Sequence, residues 1–176
     1  MQLSTNRELS FYEIWFKTTV VHVVTYFIAG LCALLLLEYG QQDSPLDSMF
    51  RGIDHPLVMA GPLIQVVRGF LFASVFYPLQ AALFQTDGGW LTLFWMLFVL
   101  GVLSTFGPPP GSIEAMIYTT LPISIWNYAE VVPQALSLSI LLAYWLANPE
   151  ARWFSWLLII SATIIASLIV AGLTTL

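Results

Sequence analysis

The stretch HPLVMAGPLIQVVRGFLFASVFYPLQAALF, residues 55–84, sets the strictest condition on how this chain can fold. At 1.5 Å per helical residue it is more than long enough to cross a hydrocarbon layer of about 30 Å. It carries one charge, Arg68, near its middle. An arginine there lies too far from either end to reach bulk water, so it needs a partner or a wet cavity.

Composition decides that the surrounding medium is lipid. Of 176 residues, 59% are hydrophobic and only 9% charged, against about 25% charged in ordinary soluble domains. A water-facing surface cannot be assembled from such a chain. It reads as an all-α integral membrane protein, a polytopic bundle of about five transmembrane helices in a single domain, with the lipid bilayer as its first partner. Seven Trp, seven Tyr and twelve Phe suit aromatic belts at two interfaces. The net charge of −5 reflects a scarcity of Lys and Arg; there is no basic footprint for nucleic acid, and that class is excluded. Cys32, the one cysteine, rules out an intrachain disulfide and a multi-cysteine metal site.

The spans are expected at residues 18–37, 57–84, 90–106, a proline-broken 114–146, and 153–175. Residues 1–17 place Phe11 and Trp15 on one side of a helix, which fits either an interfacial N-terminal helix or a simple extension of the first span. The acidic residues among its basic ones and the length of the following apolar run read as a retained segment, not a cleaved signal. Five spans with the N-terminus cytoplasmic put Arg7, Lys17 and Arg152 inside and Arg51 outside, in line with the positive-inside bias. Four spans, with 113–146 re-entrant or the first helix interfacial, form the alternative topology.

The polar groups within the spans are few. On the first, Thr18, His22, Thr25, Tyr26 and Ala29 share one helical face, which should look into the bundle. His22 is a candidate proton relay or a haem or metal ligand; the plainer account is a neutral histidine satisfied by a hydroxyl or a carbonyl. In the loop that follows, Asp43, Asp47, Asp54 and His55 lack a recognised ligand spacing, so no metal is assigned. Asp54, ahead of His55-Pro56, is a candidate cap for the second helix.

On the second span Gly61, Gln65, Arg68, Gly69 and Phe72 cluster at i, i+4 and i+7 spacing, small residues for close approach beside two polar groups. Gly61-Pro62 and Pro78 are expected to kink it. After the rigid corner FGPPPGS, Pro122 and Pro133 are expected to split the fourth segment, and breaks at membrane depth are tolerated where a protein or water-filled cavity satisfies the freed backbone. Asn127, Glu130, Gln134 and Ser137 share a face there, and Glu130 is the expected ion-pair partner of Arg68. Ser161, Ala162, Ala166, Ser167 and Gly172 offer a packing seam on the last span.

No nucleophile elbow, zinc-protease helix or phosphate loop occurs, and His22 and His55 sit at opposite ends of successive helices, which argues against a pair of haem ligands. No catalytic residue is assigned. Three functions fit: a small transporter or oligomeric pore whose pathway is the polar cluster Arg68, Glu130, Gln65, Asn127 and Gln134; a non-catalytic subunit of a larger membrane complex; and, more remotely, a membrane enzyme acting on lipid or quinone with Glu130 as acid or base. The first two imply homo-oligomerisation or other membrane subunits as partners.

Overall fold

The computed structural model of the chain describes residues 3–36, 55–105, 112–118 and 128–174. All regular structure among them is helical. Two helices, α1 (Phe11–Leu36) and α8 (Arg152–Leu173), are long and apolar enough to cross a membrane. Between them lie α2 (Pro56–Met59), α3 (Gly61–Phe76), α4 (Gln80–Phe84), α5 (Gly89–Trp95), a π-helix (Met96–Leu103), α6 (Ile113–Tyr118) and α7 (Val131–Ala147).

Helix α1 is the axis of the bundle and packs against α3, α7 and α8. Its start is fixed by Ser10, whose hydroxyl accepts from the Glu13 N–H at 3.2 Å, satisfying one of the open donors of the first turn. No proline follows before Leu36. Residues 11–17 therefore continue straight into the first span; a separate interfacial helix does not form.

The stretch expected to form the second span is broken where proline demands it, and its longest helix, Gly61–Phe76, is shorter than α1 and α8. His55, not Asp54, caps α2: its Nδ1 accepts from Leu57 N at 3.2 Å. Asp54, like Asp43 and Asp47, lies outside the described residues. Ala60 separates α2 from α3 and precedes Pro62 in the first turn of α3, and the turn at 77–79 that ends α3 contains Pro78. In the fourth segment a turn at 129–130 precedes α7, which then runs unbroken to Ala147; Pro133 lies in its first turn, where its missing N–H costs nothing. Pro122 lies outside the described residues.

Two cores hold the bundle. One, between α1, α7 and α8, is built on Val20, Val24, Leu138, Trp145, Phe154 and Leu158. The other closes the end of the bundle where α1 begins, with Leu9, Ile14, Phe76, Phe84, Leu93 and Leu146 all within it. The segment before α1 is fastened over that end by Thr5 N to Phe84 O at 2.7 Å, Leu9 N to Gln80 Oε1 at 2.8 Å, and Ser4 Oγ to Asp87 Oδ1 at 2.7 Å. Gly88, at φ 84°, supplies the left-handed turn into α5 that a side chain would strain.

Outward faces remain apolar. On α8, Phe154, Leu158, Ile165 and Ile169 are buried, while Trp153, Trp156, Leu157, Ile160, Ile164 and Leu168 are exposed. The seam expected from its small residues is only partly a contact: Ala162 packs on the core, and Gly172 faces Met59.

Candidate functional site

The polar residues of α1, α3 and α7 meet around one cavity of about 360 Å³, lined by His22, Tyr26, Arg68, Phe72, Glu130 and Gln134, with apolar wall from Leu97, Val102 and Leu138. Counting along α1, His22 is about 16 Å from the helix start and about 21 Å from its end at 1.5 Å per residue. The site lies near the middle of α1.

His22 is the most enclosed polar side chain there, 2% exposed, with its ring 5.1 Å from that of Phe72 and 6.3 Å from that of Tyr26. Neither ring nitrogen has a hydrogen-bond partner. A buried imidazole normally finds one. Gln65, itself 3% exposed, is close enough to interact with the ring, although its Nε2 donates to Gly61 O at 2.9 Å and its Oε1 accepts from Arg68 Nη1 at 3.5 Å. Thr25, the hydroxyl on the same stripe, is also spent, donating to Val21 O at 2.9 Å.

Arg68 stands at the edge of the buried face formed by Gly61, Gln65 and Gly69, and is itself exposed. Its side chain lies over the Phe72 ring at 5.7 Å, a cation–π contact, and borders the cavity. The cavity is open on that side. Glu130 stands immediately before α7 without a side-chain capping hydrogen bond and is half-buried. One carboxylate oxygen points toward α1, 3.9 Å from where a Cβ on Gly30 would stand. The ion pairs among the described residues are Arg7–Glu13 and Lys17–Glu13; Arg68 and Glu130 border the same space and remain more than 4 Å apart. Asn127 lies outside the described residues, and Gln134, one turn beyond Glu130, lines the cavity as well.

A search of protein-family models, curated proteins and solved structures matches nothing to this chain. The site is therefore read from its own geometry.

Glu130 and Gln134 also line a second cavity, about 500 Å³, that follows α1 past Thr25, Ala29 and Cys32 to Leu36. From Val24 to Leu36 this is about 18 Å of helix. The two cavities thus share a polar wall, one near the middle of α1 and one running to its end. In the other direction the closely packed second core blocks the axis.

Sequence reasoning missed two contributors. The π-helix supplies Leu97, Gly101 and Val102 to the cavity, and nothing in MLFVLGVL distinguishes π from α pitch. Phe72 was grouped with Arg68 on the helical wheel, but its place between Arg68 and His22 depends on the packing of α3 against α1. His55, the second candidate haem ligand, is on α2 as its cap and does not line the His22 cavity.

Proposed function

We propose that this chain is a multi-pass membrane protein that binds a small polar solute at mid-depth and passes it across the bilayer. The observation that carries the reading is the shared wall: Glu130 and Gln134 border both the site at His22 and Arg68 and the cavity that leads along α1. Binding sites at the bilayer midplane, beside interrupted helices, are where transporters hold their cargo. The apolar outer face of α8 is what lipid requires of a spanning helix.

The test is thiol accessibility in native membranes. In a Cys32→Ser background, Gln134→Cys should react with a charged, membrane-impermeant methanethiosulfonate reagent. No reaction from either side would end the pathway reading.

A second reading, an integral subunit of a larger assembly or a homo-oligomer, draws on Arg68 itself. An exposed arginine flanked by the exposed Ile64, Val67 and Leu71 at mid-depth calls for cover that lipid cannot give. Light scattering on particles extracted in mild detergent separates the two: a monomeric mass would remove this reading.

A further inference from the structure

The strongest unmet demand in the molecule is a pair of opposite charges that border one cavity and do not meet. Arg68 spends one donor on Gln65 at a long 3.5 Å and rests against Phe72, which leaves most of its guanidinium fork unengaged. Glu130 makes no side-chain hydrogen bond or ion pair among the described residues. His22 lines the same cavity, buried and with neither nitrogen in an ordinary hydrogen bond.

The sign of these groups restricts what fits. A lone anion drawn to Arg68 leaves the Glu130 carboxylate unpaired and repelling it; a lone cation on Glu130 meets Arg68 in the same way. In a region of low dielectric an unpaired charge of this kind is costly. A solute with one negative and one positive end satisfies both walls and carries no net charge into the membrane. A carboxylate matches the planar fork of arginine in bidentate geometry, and an ammonium, with three donors and no acceptor, matches a carboxylate beside an amide oxygen. The remaining lining, Leu97, Val102 and Leu138, is apolar and leaves room for a hydrocarbon side chain. About 360 Å³ falls at the small end of ligand sites, which run from about 300 Å³ upward.

We infer that the cavity holds a small zwitterion of the amino-acid class with an apolar side chain, its carboxylate on Arg68 and its ammonium on Glu130 and Gln134. This rests on the pathway reading above and names the cargo. His22 adds the one donor and one acceptor of a neutral imidazole to the lining.

The test uses the whole chain, purified in mild detergent, and measures equilibrium binding of tritiated L-leucine and L-alanine. Competition is measured with 4-methylpentanoate and propanoate, which lack the amine, and with 3-methylbutylamine and ethylamine, which lack the carboxylate. Saturable binding of either amino acid, with both its one-charge analogues at least tenfold weaker, supports the assignment. Arg68→Gln should erase the preference over the amine, and Glu130→Gln the preference over the carboxylate; Gln134→Leu, a milder change, should weaken the amino acid severalfold.

Equal or tighter binding of the carboxylate alone overturns the proposal in favour of an anion site, and equal binding of the amine in favour of a cation site. Absence of binding by every probe also overturns it. In that event a reactive Gln134→Cys leaves the pathway reading standing, whereas an unreactive one removes both.

Discussion

Gly69 of α3 crosses Thr19 of α1 so closely that a Cβ on the glycine would stand 2.9 Å from the Thr19 Cα and overlap its hydroxyl. It would strike the backbone as well as the hydroxyl, so a side-chain rotation alone cannot make room. Gly69→Ala should therefore force α3 away from α1 and destabilise the fold by about 1–3 kcal/mol. Gly101→Ala is the control, because nothing lies within 4 Å of a Cβ there. Thermal unfolding in detergent, followed by tryptophan fluorescence, should show a clear drop for the first and none for the second.

Lys17, two residues before Thr19 on α1, is buried, paired with Glu13 Oε1 at 2.9 Å and donating to the Trp145 carbonyl at 3.1 Å. That carbonyl is in the last turn of α7, where helical acceptors are left open and positive charge is favoured. Lys17→Met keeps the stem and removes the ammonium; a loss of about 1–3 kcal/mol is expected. Lys17→Arg should not restore it, since a planar guanidinium cannot occupy the place of a compact ammonium. Equal stability of the methionine variant and the wild type would show that the link contributes nothing.

The same tryptophan ties α7 to α8: Trp145 Nε1 donates to Ser155 Oγ at 2.7 Å. Ser155→Ala leaves a largely buried indole N–H without an acceptor, at a cost of about 1–3 kcal/mol. Ser155→Thr, which keeps the hydroxyl, should recover most of it. A melting temperature unmoved in the alanine variant would contradict this.

His22 should behave in the opposite way. It makes no hydrogen bond to lose, and burial of an unpaired polar ring is unfavourable. His22→Leu is expected to leave unfolding unchanged or shift it upward while amino-acid binding falls at least tenfold. A variant that loses stability would mark His22 as structural.

Much of the architecture follows from where prolines and polar side chains stand in the chain. The breaks near Gly61-Pro62 and Pro78 were readable because a missing N–H and a fixed φ act locally. So was the start of α1, in principle: Ser10-Phe11-Tyr12-Glu13 carries the pattern in which a serine caps and an acid follows three residues later, although here Glu13 turns to Arg7 and Lys17. The polar stripe through His22 was legible as periodicity. What periodicity does not carry is rotation of one helix against another. That rotation leaves Arg68 at the rim of its buried face and keeps it apart from Glu130, so an ion pair inferred from depth alone does not form. Pro133 marks its break only to within a turn: the chain turns at 129–130 and the proline falls inside the first turn of α7.

A π-helix takes in about one more residue per turn than an α-helix, and Met96–Leu103 is placed where Leu97, Gly101 and Val102 face the cavity. This wall therefore carries slack. Deleting one residue from Met96–Leu103 to restore α pitch should turn one end of the segment against the other by roughly 100° and take part of this lining away from the cavity.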